Sequence, residues 1–156
     1  MLPKYQKLLV TTDLSPLGNT AVLHAYAILA ERGGTVILWC AVDVSGVPDP
    51  LYAQPTPGET LAEEREEIRE KLFSSLEALV PEEVRAEGKV TTKIRVVEVS
   101  GPIHDTICQE AAAQEVDLIV MASHGYSGMK HLLLGSVAEH VVRSADRPVL
   151  IIRGRK

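Results

Sequence analysis

Residues 35 to 42 read TVILWCAV. After Thr35 the run is entirely apolar, and valine, isoleucine, tryptophan and leucine dominate it. A half-buried strand would alternate polar and apolar residues, so a continuous apolar run of this length points to a strand covered on both faces. Such strands belong to parallel sheets with helices above and below. Three other segments read the same way: KLLVTT at 7–12, DLIVM at 117–121 and VLII at 149–152. A fifth, VTTKIRVVEV at 90–99, alternates.

Helical patterns fill the gaps. Ser15-Pro16 supplies an N-cap and an N1 proline for a helix through about Glu31, which Gly33-Gly34 stops. From Glu59, the residues Leu61, Ile68, Leu72, Leu76 and Leu79 mark one apolar face opposite the charged run EEREEIREK. Gly101-Pro102 opens a third helix ending near Glu115, and Gly135 or Ser136 begins a fourth. The order β-α-β-α-β-α-β-α-β predicts an α/β, flavodoxin-like (Rossmann-like) doubly wound five-stranded sheet, mostly parallel, with helices on both faces. A single domain over 1–156 is expected, with a long proline-rich loop at 43–58.

Composition narrows the function. The chain has 46% hydrophobic and 24% charged residues and a net charge of -5. A net negative charge with scattered basic residues argues against nucleic-acid binding. The apolar N-terminal run is broken by Asp13, which makes it neither a signal peptide nor a membrane span. Cys40 and Cys108 lack metal-ligand spacing and read as buried free thiols in a reducing cytoplasm.

In doubly wound sheets, ligands bind beyond the carboxyl ends of the strands, where strand order reverses. Three loops qualify: TTDLSPLGN after the first strand, the region after Ala41, and ASHGYSGMKHLLLGS at 122–136. The last reads as an anion cradle. Gly125 and Gly128 are expected to adopt positive φ and present backbone N–H groups, while Gly135-Ser136 stands at a helix N-terminus, where free N–H groups attract phosphate. The simpler alternative is a loop whose serine caps a helix. Neither G-x-x-x-x-G-K-[ST] nor a G-x-G-x-x-G after the first strand occurs, which excludes a motor-type NTPase and an ordinary dinucleotide dehydrogenase.

The run ASHGYSGMKHLLLGSVAEHVVRSADRPVLII resembles the ATP-binding branch of the universal stress protein family, whose signature is G-x2-G-x9-G-[ST]. Gly125, Gly135 and Ser136 match its last three positions, and Ala122 replaces its first glycine. The resemblance extends to KLLVTTDLS, TVILWCAVDV and VSGPIHDTI. It implies an adenine and ribose site at Thr11, Asp13, the backbone of Ala41, and Met121. It also implies a triphosphate site at Ala122, Ser123, His124, Gly125, Tyr126, Ser127 and Gly128, and at Ser136, Val137 and Ala138. Magnesium would ride on the phosphate oxygens, since no protein cage for it is visible. Ala122 is strained if its position needs positive φ and unstrained if the position needs only a small residue.

Other constellations are weaker. His124, His131 and His140 lack the spacing of a helical zinc pair, and HGYSG has histidine where a nucleophile elbow has glycine. An FMN electron carrier shares the fold class, but aromatic content is only 4% and Trp39 sits in mid-strand. A dimeric interaction module that binds no nucleotide is a further alternative. A homodimer through Val149 to Ile152 is expected, because an uncovered apolar edge strand invites pairing with its own copy.

Overall fold

The computed structural model describes residues 1–43, 61–125 and 133–154. The elements run β1 (Lys7–Thr11), α1 (Pro16–Leu29), β2 (Gly34–Asp43), α2 (Leu61–Glu77), α3 (Glu82–Glu87), β3 (Val90–Val99), α4 (Ile103–Ala113), β4 (Leu118–Ala122), α5 (Ser136–Ser144) and β5 (Val149–Ile152). The five strands form one sheet in the order β3-β2-β1-β4-β5, and every pairing is parallel. The expected doubly wound α/β fold is present, and strand order reverses between β1 and β4.

The continuous apolar runs are explained by two cores. Leu8 and Val10 of β1, with Val36, Leu38 and Cys40 of β2, join Ala21, Val22, Ala25, Tyr26 and Leu29 of α1 on one face. Leu9, Ile37 and Trp39 point the other way, toward Ile107 and Ala111 of α4 and Ala138 and Val141 of α5. Successive strand side chains thus serve opposite faces, and neither face tolerates a polar residue.

The ends of the helices follow local chemistry. Ser15 caps α1, its hydroxyl accepting the Gly18 N–H at 3.1 Å, and Pro16 opens the helix. At its far end Gly33 (φ 77°) donates its N–H to the Leu29 carbonyl, and Gly34 (φ 145°) leads into β2. Residues with a Cβ are strained in both conformations.

Two expectations are corrected here. In α2, Leu72 and Leu76 reach the core, but Ile68 is 48% exposed, because the helix meets the sheet through its C-terminal half. The short α3 was not foreseen, although Pro81 before it and left-handed Gly88 after it are ordinary boundary signals.

Arg147 ties the approach to β5 onto α4. Its Nη1 donates to the carbonyls of Ala111 (2.6 Å) and Val116 (3.1 Å), and its side chain is only 17% exposed. Arg147→Ala removes one donor from the Ala111 carbonyl, which keeps the Val116 N–H, and one from the Val116 carbonyl between α4 and β4, at an expected cost of about 1–3 kcal/mol. Urea unfolding checks it; an unchanged midpoint would show that water replaces the guanidinium freely.

Candidate functional site

Where β1 ends, the chain makes a tight and heavily bonded turn. Thr12 is buried, its N–H donating to the Trp39 carbonyl at 3.0 Å. Its hydroxyl donates to Asn19 Oδ1 and accepts the Leu14 N–H, both at 3.0 Å. Asp13 Oδ1 accepts the Ser15 N–H at 3.0 Å. Between them Leu14 holds φ 64°, a left-handed leucine that costs on the order of 1–2 kcal/mol. Strain of this kind persists only where surrounding bonds over-determine it, and it tends to collect at functional sites. Its result is an exposed Asp13 carboxylate in fixed orientation beyond the strand end.

β4 delivers the second half. Ala122 is the last strand residue, paired with Ile152, and its φ is not positive. The methyl group is therefore unstrained, as a position needing only a small residue requires. Ser123 donates its N–H to the Ile152 carbonyl at 2.8 Å and accepts the Gly135 N–H on its own carbonyl at 2.6 Å. Its hydroxyl lies 3.1 Å from His124 Nδ1.

The glycines work differently from expectation. Gly125 does not adopt positive φ. It is needed because a Cβ there would lie 2.2 Å from Asp13 Oδ2, so the backbone after β4 presses directly on the carboxylate. Gly135, the N-cap of α5, has φ -68° and ψ 162°, and a Cβ on it would meet the Ser123 carbonyl oxygen at 3.0 Å. Both glycines permit close approach. Gly128, with Tyr126 and Ser127, lies outside the described residues.

α5 begins at Ser136, and its first intrahelical bond runs from Glu139 N–H to the Gly135 carbonyl. The N–H groups of Ser136, Val137 and Ala138 consequently have no acceptor within the helix, and they stand at the positive end of its dipole.

These elements enclose a cleft of about 410 Å³, within the range of small-molecule sites. All twelve described residues singled out from the sequence line it: Thr11, Asp13, Ala41, Met121, Ala122, Ser123, His124, Gly125, Gly135, Ser136, Val137 and Ala138. Five lining residues were not singled out: Thr12, Gly18, Trp39, Ile103 and Ile107. Trp39 is the instructive one. Its mid-strand position counts against it as a flat partner for a flavin ring, but a large indole on β2 reaches the cleft wall. Ile103 and Ile107, four apart on α4, follow from helical spacing once α4 is known to cover this face.

Cys40 does not line the cleft and packs in the core under α1. Burial, and secondarily the Asp13 carboxylate, push the Cys40 thiol up to about 11, so it stays protonated at neutral pH. His140 stacks on His104 with ring centroids 4.4 Å apart. Among the described residues no three His, Cys, Asp or Glu side chains come together as a metal cluster, and no helix is long and apolar enough to cross a membrane.

Comparison with known proteins places this architecture. The universal stress protein family model matches residues 4–153. Universal stress protein MJ0577 of Methanocaldococcus jannaschii is 28% identical over 96% of this chain and 95% of its own. Its solved structure superposes with a TM-score of 0.79 over 97% of this chain and 98% of that one, also at 28% identity. MJ0531 of the same organism is 32% identical over 97% of this chain and 84% of its own. A universal stress protein of Archaeoglobus fulgidus solved in complex with dAMP shares the fold at 19% identity, with a TM-score of 0.61 over 95% of this chain and 98% of that one. The chain belongs to the universal stress protein family.

Proposed function

We propose that the cleft binds ATP and that the protein is a cytoplasmic, single-domain, nucleotide-responsive regulatory or stress-tolerance module. The observation that carries this reading is the division of the cleft into two chemically distinct ends. Over β2, Ala41 and Trp39 join Ile103, Ile107 and Met121 in an apolar wall suited to a base. At the other end, the first N–H groups of α5, which have no acceptor within the helix, stand beside Gly125 and Ser123, suited to phosphate. Asp13 lies at the mouth, where a carboxylate can accept from ribose hydroxyls. An adenine nucleotide in a protein of the same fold is consistent with it. Magnesium would be carried on the phosphate oxygens rather than by a protein cage.

Mass spectrometry of freshly purified protein after denaturation tests the reading: released adenine nucleotide is the expected result. Asp13→Ala should weaken ATP and ADP by similar factors, of about tenfold for one charge-assisted hydrogen bond. Calorimetry with both nucleotides checks this, and a loss confined to ATP would move Asp13 to the phosphate end.

The same proposal includes a homodimer through β5. This strand lies at the sheet edge beside β4, and Leu150 is 37% exposed on it. Antiparallel pairing of two copies about a two-fold axis would satisfy the free edge and close the assembly.

A further inference from the structure

Among the described residues, two buried side-chain nitrogens have no hydrogen-bond partner, Trp39 Nε1 and His124 Nε2. Both side chains line the same cleft. Buried polar groups are almost always paired, so an orphan on a side chain that lines a ligand cleft calls for a partner, and a ligand is one that can supply it. The two orphans differ in what they can do. Either ring nitrogen of His124 can donate or accept, according to tautomer. An indole N–H can only donate, so Trp39 requires an acceptor.

Position says which part of a ligand supplies that acceptor. Trp39 is 2% exposed and projects from β2 on the same face as Ile37, beneath α4. It stands with Ala41 and Ile107 at the apolar end of the cleft. The N–H groups of α5 lie beyond β4, and two strand spacings, about 10 Å, separate β2 from β4. Trp39 shares the core on this face with Ala138 of α5, but a base lying over β2 stands nearer the indole than a phosphate held at the end of α5.

We propose that Trp39 is the specificity-determining residue of the cleft, its indole N–H donating a hydrogen bond to a ring nitrogen of a purine base. The inference rests on the nucleotide reading above and adds to it the group that reads the base. The N–H is buried in the cleft wall, so pairing takes a small tilt of the indole toward the ligand. A donor that has nothing to lose in the free protein gains its full partner on binding. A base offering only a C–H at that edge leaves the donor unpaired and is rejected.

Trp39 is the chain's one tryptophan, so a tryptophan analogue fed to an auxotroph alters this position alone. Replacement by 3-benzothienylalanine, which puts sulfur in place of the N–H and keeps the ring shape, removes the donor and little else; Trp39→Phe is the second variant. Calorimetry is run with ATP, with 1-, 3- and 7-deaza-ATP, and with inorganic tripolyphosphate. Both variants are expected to bind ATP about tenfold more weakly than wild type, the loss of one buried hydrogen bond, and tripolyphosphate equally well. One deaza analogue should bind wild type and variants alike, identifying the ring nitrogen. Unchanged ATP affinity in the benzothienyl protein overturns the assignment and leaves the nucleotide reading standing, as does an equal loss for tripolyphosphate, which marks a merely structural role. Wild-type protein that binds no ATP overturns the nucleotide reading and this inference with it.

Discussion

A protein carrying Gly125→Val is expected to fold and to lose ATP affinity by about a hundredfold or more, equivalent to roughly 3 kcal/mol. The reason is contact rather than backbone conformation. A Cβ at Gly125 would stand 2.2 Å from Asp13 Oδ2 and 3.1 Å from its Cγ, far inside van der Waals contact. The carboxylate cannot simply swing aside, since its other oxygen holds the Ser15 N–H at the start of α1. Either the Asp13 turn opens or the segment after β4 lifts away from it, and each outcome spoils the cleft at its mouth. The fold itself is spared because Gly125 is exposed and outside both cores. Gly125→Ala should show the same loss in smaller measure. Combined with Asp13→Ala it should cost less than the sum of the single changes, because the clash is then gone. Titration calorimetry with thermal unfolding measures both quantities; wild-type ATP affinity in a folded Gly125→Val protein would show that this contact plays no part.

Leu150→Lys is expected to convert a dimer into monomers. Leu150 is the exposed residue of β5, whereas Ile152 is 7% exposed and packs into a core. A lysine at 150 therefore leaves the monomer's interior untouched and should change its stability by under about 1 kcal/mol. At an antiparallel interface about a two-fold axis, two such lysines come close together, and like charges facing across paired strands oppose association. Light scattering at micromolar concentration decides the matter, with wild-type dimer and monomeric variant expected. A monomeric wild type would refute the interface.

What could be read from the sequence was whatever depends on composition along the chain. TVILWCAV announces a strand buried on both faces, Ser15-Pro16 and Gly33-Gly34 announce the limits of α1, and the placement of a cleft beyond β1, β2 and β4 follows from strand order. What could not be read depends on side chains meeting across the fold. Ile68 has the spacing of a core residue, yet only the later turns of α2 reach the sheet. Gly125 reads as a left-handed glycine and is instead one pressed against a carboxylate more than a hundred residues earlier. Leu14 carries no sign of its positive φ, which the bonds from Thr12 and Asn19 impose. Trp39 looks like mid-strand core until the sheet order sets β2 beside β1 and puts its indole in the cleft wall.

The central claim is that the cleft at the β1–β4 switch point holds ATP, and titration of the wild-type protein with ATP tests it most directly. Saturable binding with one nucleotide per chain, weakened by Asp13→Ala and weakened further by Gly125→Val, is the expected result. A folded wild-type protein that shows no binding at millimolar ATP, with or without magnesium, would contradict it.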